Sequence, residues 1–345
     1  TDEIIDEISR VPEKGRVTES KKTTLPLEGV KVLDFMWALA GPGATRTLAD
    51  MGATVIRVES SSRLDVIRTI RPFIDSDESP EKSALFHNTN AGKNLLSLDL
   101  TKPEGKAVAL DLVRWCDVVT ESFSPKAMKA FGLDYESLLE VNSDLVMLST
   151  CLFGQTGPLS MFAGYGNLAA AIAGFYTITG WPDREPAGPF GAYTDYIAPR
   201  YNAAAILAAL DHRDRTGEGQ HIDLAQAESA MHFLTPAILD YMANDKVQLR
   251  MGNSDPNFAP HGVYPVSGDD AYIAIACETD EQWHAFNDLL SIPDASAELY
   301  NSMKARIKNR DSLDQFICGF TSSHEGIQLE SVLQSAGVPA SVVQN

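Results

Sequence analysis

Short apolar runs alternate with amphipathic segments from about residue 30 onward. Residues 30–35 (VKVLDF) are rich in β-branched residues and lead through Gly41 and Gly43 into a helical stretch over 44–51. A glycine ends that stretch, and residues 53–58 (ATVIRV) have the composition of a buried strand. Strand, glycine turn, helix and strand in this order predict a βαβ unit with parallel strands.

The same alternation continues downstream. Residues 93–98 predict a strand, 103–113 a helix, and 117–120 and 143–150 two further strands. Strands that alternate with helices of about 10–15 residues are typical of an open α/β sheet covered on both faces. We therefore predict an α/β fold for this part of the chain.

Length and pattern together predict more than one domain. The chain has 345 residues, which exceeds the roughly 250–300 at which single cores stop growing. Residues 1–26 are polar and predict a leader or an interdomain linker. Residues 27–235 carry the α/β pattern, including a helix over 197–210 and a strand over 220–224, and 236–345 predict a smaller α+β lobe.

Composition and charge exclude several classes of function. Lys and Arg number 28 against 47 Asp and Glu, and the net charge of −19 argues against nucleic acid and anionic membranes as partners. No apolar run has the roughly 18 residues that a membrane span needs. The four cysteines have no CxxC spacing and no histidine at a metal-ligand interval, so we predict a reduced, metal-free, cytoplasmic protein.

The glycine turn at Gly41 and Gly43 is the first candidate ligand site. A strand, a glycine turn and a helix N-terminus can present backbone N–H groups to a phosphate. As a dinucleotide fingerprint the turn is weak, because the third glycine is replaced by Arg46, although Glu59 lies near the distance expected of a ribose-binding acid. A nicotinamide-dependent dehydrogenase therefore stays an alternative, beside a purely structural turn.

Asp195 is the second candidate, in the segment GAYTDY between a Pro/Gly-rich stretch and a helix. An Asp at such a position is often a helix N-cap. The same carboxylate, ionised at neutral pH, can also serve as a covalent nucleophile toward an acyl group. Both interpretations remain open on the local sequence.

Two further features accompany Asp195. The segment from Gly164 to Asn167 places glycines on either side of Tyr165, which indicates close approach of the backbone to a ligand or to a neighbouring element. The histidines show no triad partner, but His261, in a loop after a proline, is a candidate to line a site.

Several of these segments together resemble the family III CoA-transferases, also called the CaiB/BaiF family. They occur in the family's order over residues 27 to about 340, at 27–60, 90–138, 153–158, 164–180, 192–199 and 209–228. The resemblance implies a CoA-transferase that uses an acyl-CoA donor, with CoA as co-substrate, and a small carboxylate as acceptor.

The resemblance also implies a mechanism. In the family an aspartate attacks the acyl-CoA thioester, and its position here is Asp195; a mixed anhydride and a β-aspartyl-CoA thioester follow, and CoA then passes to the acceptor. Oxyanion and substrate contacts are assigned to Tyr165, Gly166, Asn167 and His261, with the turn at 40–43 as a further donor source.

Two alternatives remain. The α-methylacyl-CoA racemase branch has a histidine thirty residues before the aspartate, where this chain has Tyr165; a tyrosine is a weak base at neutral pH, so transfer is favoured over racemisation. A catalytically silent CoA-binding or dimerisation domain of a fusion protein is the second alternative.

The residues assigned to CoA binding depart in part from the family's pattern. Leu39 and Trp37 stand where the formyl-CoA transferase branch has polar residues, so oxalate and formate are not expected as substrates. The common Asn-Phe-Arg-Pro motif is Ser122-Phe123-Ser124-Pro125 here, without its arginine. The full set of expected CoA contacts is Trp37, Leu39, Ala40, Gly41, Lys93, Ser122, Phe123, Lys126 and Lys129.

The family's fold implies a Rossmann-like large domain with a smaller α+β lobe, and an interlocked homodimer or a fused pseudo-dimer. We expect the segment that returns from the smaller lobe to the large domain to be missing or truncated in this sequence. One domain of a fusion such as a dimethylsulfoniopropionate CoA-transferase/lyase is a further interpretation.

The segment from Arg57 to Lys129, where the resemblance places the nucleotide site, contains 11 basic and 11 acidic residues and is therefore neutral. The excess negative charge of the chain lies outside this segment.

Overall fold

The computed structural model of the chain describes residues 25–292 and 298–344. They divide into two compact units. The first comprises the chain through Phe175 together with Gly188–Lys246, and the second comprises Tyr176–Ala187 and the chain from Val247 onward. Most of the leader predicted over 1–26 lies outside the described residues.

A six-stranded parallel sheet forms the centre of the first unit. Its strands lie side by side in the order β3-β2-β1-β4-β5-β6, and every neighbouring pair is parallel. This is the strand order of Rossmann-like folds, in which a crevice opens at the carboxyl ends of β1 and β4. The α/β fold class is confirmed. The strands are β1 (Lys31–Phe35), β2 (Thr54–Glu59), β3 (Asn94–Ser97), β4 (Val118–Glu121), β5 (Val146–Cys151) and β6 (His221–Ala225).

Helices connect and follow these strands. The α-helices described up to residue 246 are α1 (Ala40–Asp50), α2 (Ala84–Asn90), α3 (Pro103–Trp115), α4 (Ala127–Phe131), α5 (Tyr135–Leu139), α6 (Gly166–Ala173), α7 (Phe175–Ile178), α8 (Tyr193–Thr216), α9 (Gln226–Met231) and α10 (Thr235–Asn244). Short 3₁₀ turns lie at Val66–Thr69, Ile74–Ser76, Pro80–Lys82 and His232–Leu234.

Alternate residues of the central strands enter two different cores. Val32 of β1 packs in one core with Leu48 of α1 and Ile206 of α8. Its neighbour Leu33 packs in another core with Val113 of α3. All five side chains are fully buried. Because side chains alternate along a strand, the two cores lie on opposite faces, and the sheet is covered on both.

The second unit is built on a three-stranded antiparallel sheet. Its strands are β7 (His261–Pro265), β8 (Tyr272–Ala276) and β9 (Ala340–Val342), with β8 in the middle. The accompanying helices are α11 (Asp280–Leu290), α12 (Met303–Lys308), α13 (Arg310–Thr321) and α14 (Gly326–Ser335), with a 3₁₀ turn at Glu298–Tyr300. Ile275, Phe286, Leu313 and Leu333 meet in its core, so this unit is α+β.

Among the described residues, no helix combines the length and hydropathy that crossing a membrane requires.

Candidate active site

A cavity of about 220 Å³, here the switch-point cavity, opens where β1, β4 and β5 end. Its walls are residues 37–41 after β1, 122–124 after β4, 150–152 at the end of β5, and 160–165, Asp195 and Gln226. In open α/β sheets ligands bind at this place, because the connections from the two central strands leave in opposite directions and part there.

A buried ion-pair network holds the turn after β1. The N–H of Ala38, whose φ is 62°, donates to the carboxylate of Asp65 at 3.0 Å. Asp65 pairs with Arg57, and Glu59 pairs with Arg68 at 2.9 Å. A positive φ is unusual for a residue other than glycine, and these contacts hold Ala38 in that conformation. Glu59 forms ion pairs with both Arg57 and Arg68, so its carboxylate is not free to bind a ribose. This argues against the dinucleotide-binding hypothesis, which needs an acidic residue at that position.

Aromatic rings form one wall of the switch-point cavity. The N–H of Trp37 donates to Ser122 Oγ at 2.9 Å, which joins the turn after β1 to the one after β4. The Trp37 and Phe123 rings meet edge to face with centroids 6.0 Å apart. Tyr165 is 55% exposed and lines the same cavity. This wall suits an uncharged part of a ligand.

Lys93 lies beneath the turn and not in the cavity. Its Nζ is 3.1 Å from Asp34 Oδ2 and donates to the carbonyl oxygen of Pro42 at 2.9 Å, and both charged side chains are 0% exposed. Burial alone would raise the pKa of Asp34, but the charge of Lys93 and the hydroxyl of Thr45 hold it below its usual value. We therefore correct the expectation that Lys93 contacts a ligand, because its side chain has no exposed surface.

Asp195 is the third residue of α8, so the helix begins before it and Ala192 is the N-cap. The Asp195 side chain is nearly buried, with 8% exposed. Its Oδ2 accepts from the N–H of Gly166 at 3.1 Å. Burial raises the pKa of Asp195 above its usual value, and the hydrogen bonds from Gly166 and Gln226 offset this only in part. A desolvated carboxylate is a better nucleophile than a hydrated one.

Gly166 opens α6 and comes very close to the start of α8. A Cβ at this position would lie 2.7 Å from the backbone N of Asp195 and 2.8 Å from the carbonyl oxygen of Ala192. The neighbouring Thr194 hydroxyl donates to the carbonyl oxygen of Gly166 at 3.2 Å and contacts Gln226 Oε1 at 3.1 Å. The close approach predicted for this glycine segment is therefore contact with the helix that carries Asp195.

A second cavity, of about 340 Å³, lies on another side of Asp195 and is here called the arginine cavity. It is lined by Leu39, Gly43, Arg46, Thr47 and Asp50 of the turn and α1, by Asn88 and Thr89 of α2, and by Asp195, Tyr196, Pro199 and Arg200 of α8. Among the described residues, Leu39 and Asp195 line both cavities. The carboxylate thus lies at their junction.

Most of the expected site residues come together in the switch-point cavity. Those that line it are Trp37, Leu39, Ala40, Gly41, Ser122, Phe123, Tyr165 and Asp195. Lys126 and Lys129 are exposed residues at α4, beyond the 122–124 wall, and Asn167 is exposed beside Gly166. His261 belongs to the second unit, where it lines another cavity and its Nδ1 lies 2.7 Å from the carbonyl oxygen of Asn253.

Arg46, Arg200 and Gln226 were missed as site residues. Arg200 lies five residues after Asp195 on one helix, which is not a same-face spacing, so the cavity that they share was not visible in the sequence pattern. Arg46 was noted only as the residue that breaks a glycine motif. Gln226 reaches Thr194 from α9, and no local pattern points to that contact.

Within residues 25–292 and 298–344 no group of three or more His, Cys, Asp or Glu side chains is arranged to hold a metal ion.

The sequence profile of CoA-transferase family III matches residues 27–345. The chain is 36% identical over 332 residues to a succinate–glutarate CoA-transferase of Agrobacterium fabrum, covering 95% of this chain and 82% of that protein. It is 35% identical over 323 residues to a succinyl-CoA:mesaconate CoA-transferase of Haloarcula hispanica, covering 92% and 80%. A crystal structure of a CaiB/BaiF family protein from Brucella suis superposes with a TM-score of 0.81 at 37% identity, covering 94% of this chain and 85% of that one.

The fold and the site define a Rossmann-like α/β enzyme with a buried carboxylate at the ligand crevice. With the profile match and these relatives, the chain belongs to the family III CoA-transferases and is a CoA-transferase. The resemblance drawn from six sequence segments is confirmed.

Proposed function

We propose that this enzyme moves CoA between carboxylic acids through covalent intermediates on Asp195. The observation that carries the proposal is the position of the Asp195 carboxylate: it is buried, held by one backbone N–H, and placed at the junction of two cavities. A nucleophile there can meet a thioester from one cavity and an acyl group from the other.

The reaction balances without any net proton transfer. An oxygen of ionised Asp195 attacks the thioester carbon, the C–S bond breaks, and CoA leaves as a thiolate while a mixed anhydride forms. The thiolate then attacks the aspartyl carbon of the anhydride, which releases the donor acid and leaves an aspartyl-CoA thioester. The acceptor carboxylate attacks that thioester and expels the thiolate again. The thiolate finally attacks the acceptor's acyl carbon, which regenerates Asp195 and yields the new acyl-CoA.

Backbone donors near Asp195 support the oxyanions that form in these steps. The helix α1 begins at Ala40 without a side-chain cap. No described residue accepts a hydrogen bond from the N–H of Ala40 or of Gly41, and both residues line the switch-point cavity. A preorganised donor of this kind lowers the barrier by roughly 3–4 kcal/mol. We propose these two N–H groups as oxyanion donors.

The switch-point cavity is the proposed site for the thioester end of CoA. Its wall of Trp37 and Phe123 accommodates the uncharged arm of CoA. The exposed Lys126 and Lys129 come shortly after Phe123 in the sequence. We propose that these two lysines contact the phosphates, which carry the negative charge of CoA.

Small dicarboxylic acids are the proposed acyl groups. The two relatives described above are named for succinate, glutarate and mesaconate, each of which has two carboxylates. The arginine cavity beside Asp195 offers cationic groups that suit a second carboxylate.

Racemisation of an acyl-CoA is less well supported. It requires a base on each side of the α-carbon, and Tyr165 stands where that branch has a histidine. No histidine lines either cavity at Asp195 among the described residues. Incubation of an α-methylacyl-CoA in deuterium oxide checks this directly, and we expect no α-deuterium to be incorporated.

Assembly and location are also proposals. We propose an interlocked homodimer, supported by large exposed apolar side chains on α10, among them Leu239 and Met242. Light scattering of the purified chain should give twice its mass. Free thiols at all four cysteines support a reducing, cytoplasmic location.

Hydroxylamine trapping tests the covalent proposal. Enzyme incubated with succinyl-CoA and then with hydroxylamine should carry a hydroxamate in the peptide that contains residue 195. Asp195→Ala should stay folded, form no hydroxamate and lose transfer. Asp214→Ala is the matched control, since Asp214 is an exposed residue of the same helix. Near-normal transfer by folded Asp195→Ala would disprove the proposal.

A further inference from the structure

The arginine cavity contains a cation that pairs with no other residue in the part of the chain that the structure describes. Arg200 is exposed on α8 and lines the cavity, and no described residue forms a hydrogen bond or ion pair with it. Arg46, by contrast, donates to the carbonyl oxygen of Asn88 at 2.6 Å and lies 3.4 Å from Asp50. Arg200 is therefore the positive charge in this cavity that forms no ion pair or hydrogen bond with a described residue.

Arg200 is placed to face the group that Asp195 carries. Asp195, Tyr196, Pro199 and Arg200 all line the arginine cavity, and the first and last are separated by about 7.5 Å along the axis of α8. Because helical side chains tilt toward the N-terminus, the long arginine side chain can reach back along the helix within the cavity that it shares with Asp195. A short acyl chain on Asp195 spans the remaining distance.

The charge balance of the cavity changes during the reaction. Four charged groups line it: Arg46, Arg200, Asp50 and Asp195. In the free enzyme these charges cancel. When Asp195 is acylated or carries CoA its negative charge is lost, and the cavity is left with one excess positive charge. A dicarboxylic acyl group on Asp195 keeps one free carboxylate and restores neutrality, whereas a monocarboxylic acyl group does not.

We propose that Arg200 binds the distal carboxylate of a dicarboxylic acyl group or acceptor, and so sets the enzyme's preference for dicarboxylates. The guanidinium suits this role because it binds a carboxylate through two parallel hydrogen bonds. This inference rests on the proposed function at Asp195 and adds a specificity-determining residue to it.

Isotope exchange between an acyl-CoA and its own free acid tests the role of Arg200. Exchange of labelled succinate into succinyl-CoA is compared with exchange of labelled butyrate into butyryl-CoA, which has the same chain length and no second carboxylate. We expect Arg200→Met to lower the succinate exchange about 10- to 100-fold, the range for a charge-assisted hydrogen bond, and to leave the butyrate exchange within about threefold. Arg200→Lys should recover part of the succinate exchange.

Controls separate this proposal from the one for Asp195. Arg215→Met removes an exposed arginine from the last turn of the same helix and should alter neither exchange. An equal loss of both exchanges in Arg200→Met, no loss of either, or a wild-type enzyme without preference for succinyl groups would overturn the role of Arg200. Asp195→Asn should abolish both exchanges; if it retains both, the covalent proposal fails, while the succinate-to-butyrate ratio still reports on Arg200.

Discussion

The backbone N–H of Gly166 donates to Asp195 Oδ2 at 3.1 Å, although 29 residues separate the two. A Cβ on Gly166 would lie 2.8 Å from Cγ of Asp195, closer than real Cβ contacts allow. The Asp195 carboxylate is thus held by a backbone group that has no side-chain freedom, and only glycine permits the approach. Such a donor fixes the position of one carboxylate oxygen and thereby sets the orientation of the whole carboxylate group.

Gly166→Ala tests this close contact. The added methyl group must push α6 away from α8, which shifts the carboxylate that the N–H holds. We expect a loss of about 100-fold in kcat/KM, as for a misplacement of about 1 Å, and a decrease of about 1–3 kcal/mol in the free energy of unfolding. Steady-state kinetics and urea denaturation measure the two effects.

Gly319→Ala is the matched control. Gly319 lies within α13, and a Cβ there meets no atom within 4 Å. Helix propensity alone should then stabilise this variant by up to about 1 kcal/mol, with activity unchanged. Wild-type activity in Gly166→Ala would show that the contact does not position Asp195.

Asp195→Asn tests whether the buried carboxylate costs stability. Burial raises the pKa of Asp195, so the folded state binds a proton more tightly than the unfolded state does. Wild-type stability is therefore lost as the pH rises above the unfolded-state pKa of about 3.9. Asparagine does not titrate, so we expect the variant's advantage in unfolding free energy to grow between pH 4 and pH 7. Urea denaturation across that range checks it, and a shrinking advantage would contradict it.

Lys93→Met tests the ion pair beneath the turn. The substitution leaves the Asp34 carboxylate buried without its cation, and we expect the free energy of unfolding to fall by about 3–5 kcal/mol. The double variant Asp34→Asn/Lys93→Met should recover part of this loss, because the asparagine oxygen still accepts from the N–H of Met36 and from Thr120, while its NH2 group can donate to the Thr45 hydroxyl. Thermal denaturation of the three proteins gives the comparison. If the double variant is less stable than Lys93→Met, burial of an unpaired charge is not the cause.

Strand positions in the first unit were predictable from the sequence. The strand predicted over 30–35 is β1 (Lys31–Phe35), and the one over 53–58 is β2 (Thr54–Glu59). Buried parallel strands are short apolar runs between breakers, so composition and the flanking glycines define them. The residues after β1 and β4 were assigned to one site from the family resemblance, and they line one cavity because both strands end at the switch point of the sheet.

Non-local contacts explain what the sequence did not predict. The helix over 197–210 in fact begins at Tyr193, because Tyr193 packs on Phe175 and Thr194 bonds to Gln226. Lys93 was expected to contact CoA, yet it is buried against Asp34, 59 residues away. Neither partner can be inferred from the local pattern, since both depend on how α8 and β3 pack in the folded unit.

Glu121→Gln gives the last prediction. Glu121 ends β4, and burial raises its pKa to about 7, despite hydrogen bonds from Ser149 and from the N–H of Phe123. Because the folded-state pKa lies above the unfolded value of 4.5, wild-type stability should fall as the pH rises from about 4.5 to 7 and then level off. The difference between these two pKa values corresponds to on the order of 3 kcal/mol. Glutamine does not titrate, so the variant should gain stability relative to wild type over this interval and gain no more above it. Urea denaturation at half-unit pH steps measures the difference, and a constant offset from pH 4.5 to 8 would show that the Glu121 pKa is not raised in the folded protein.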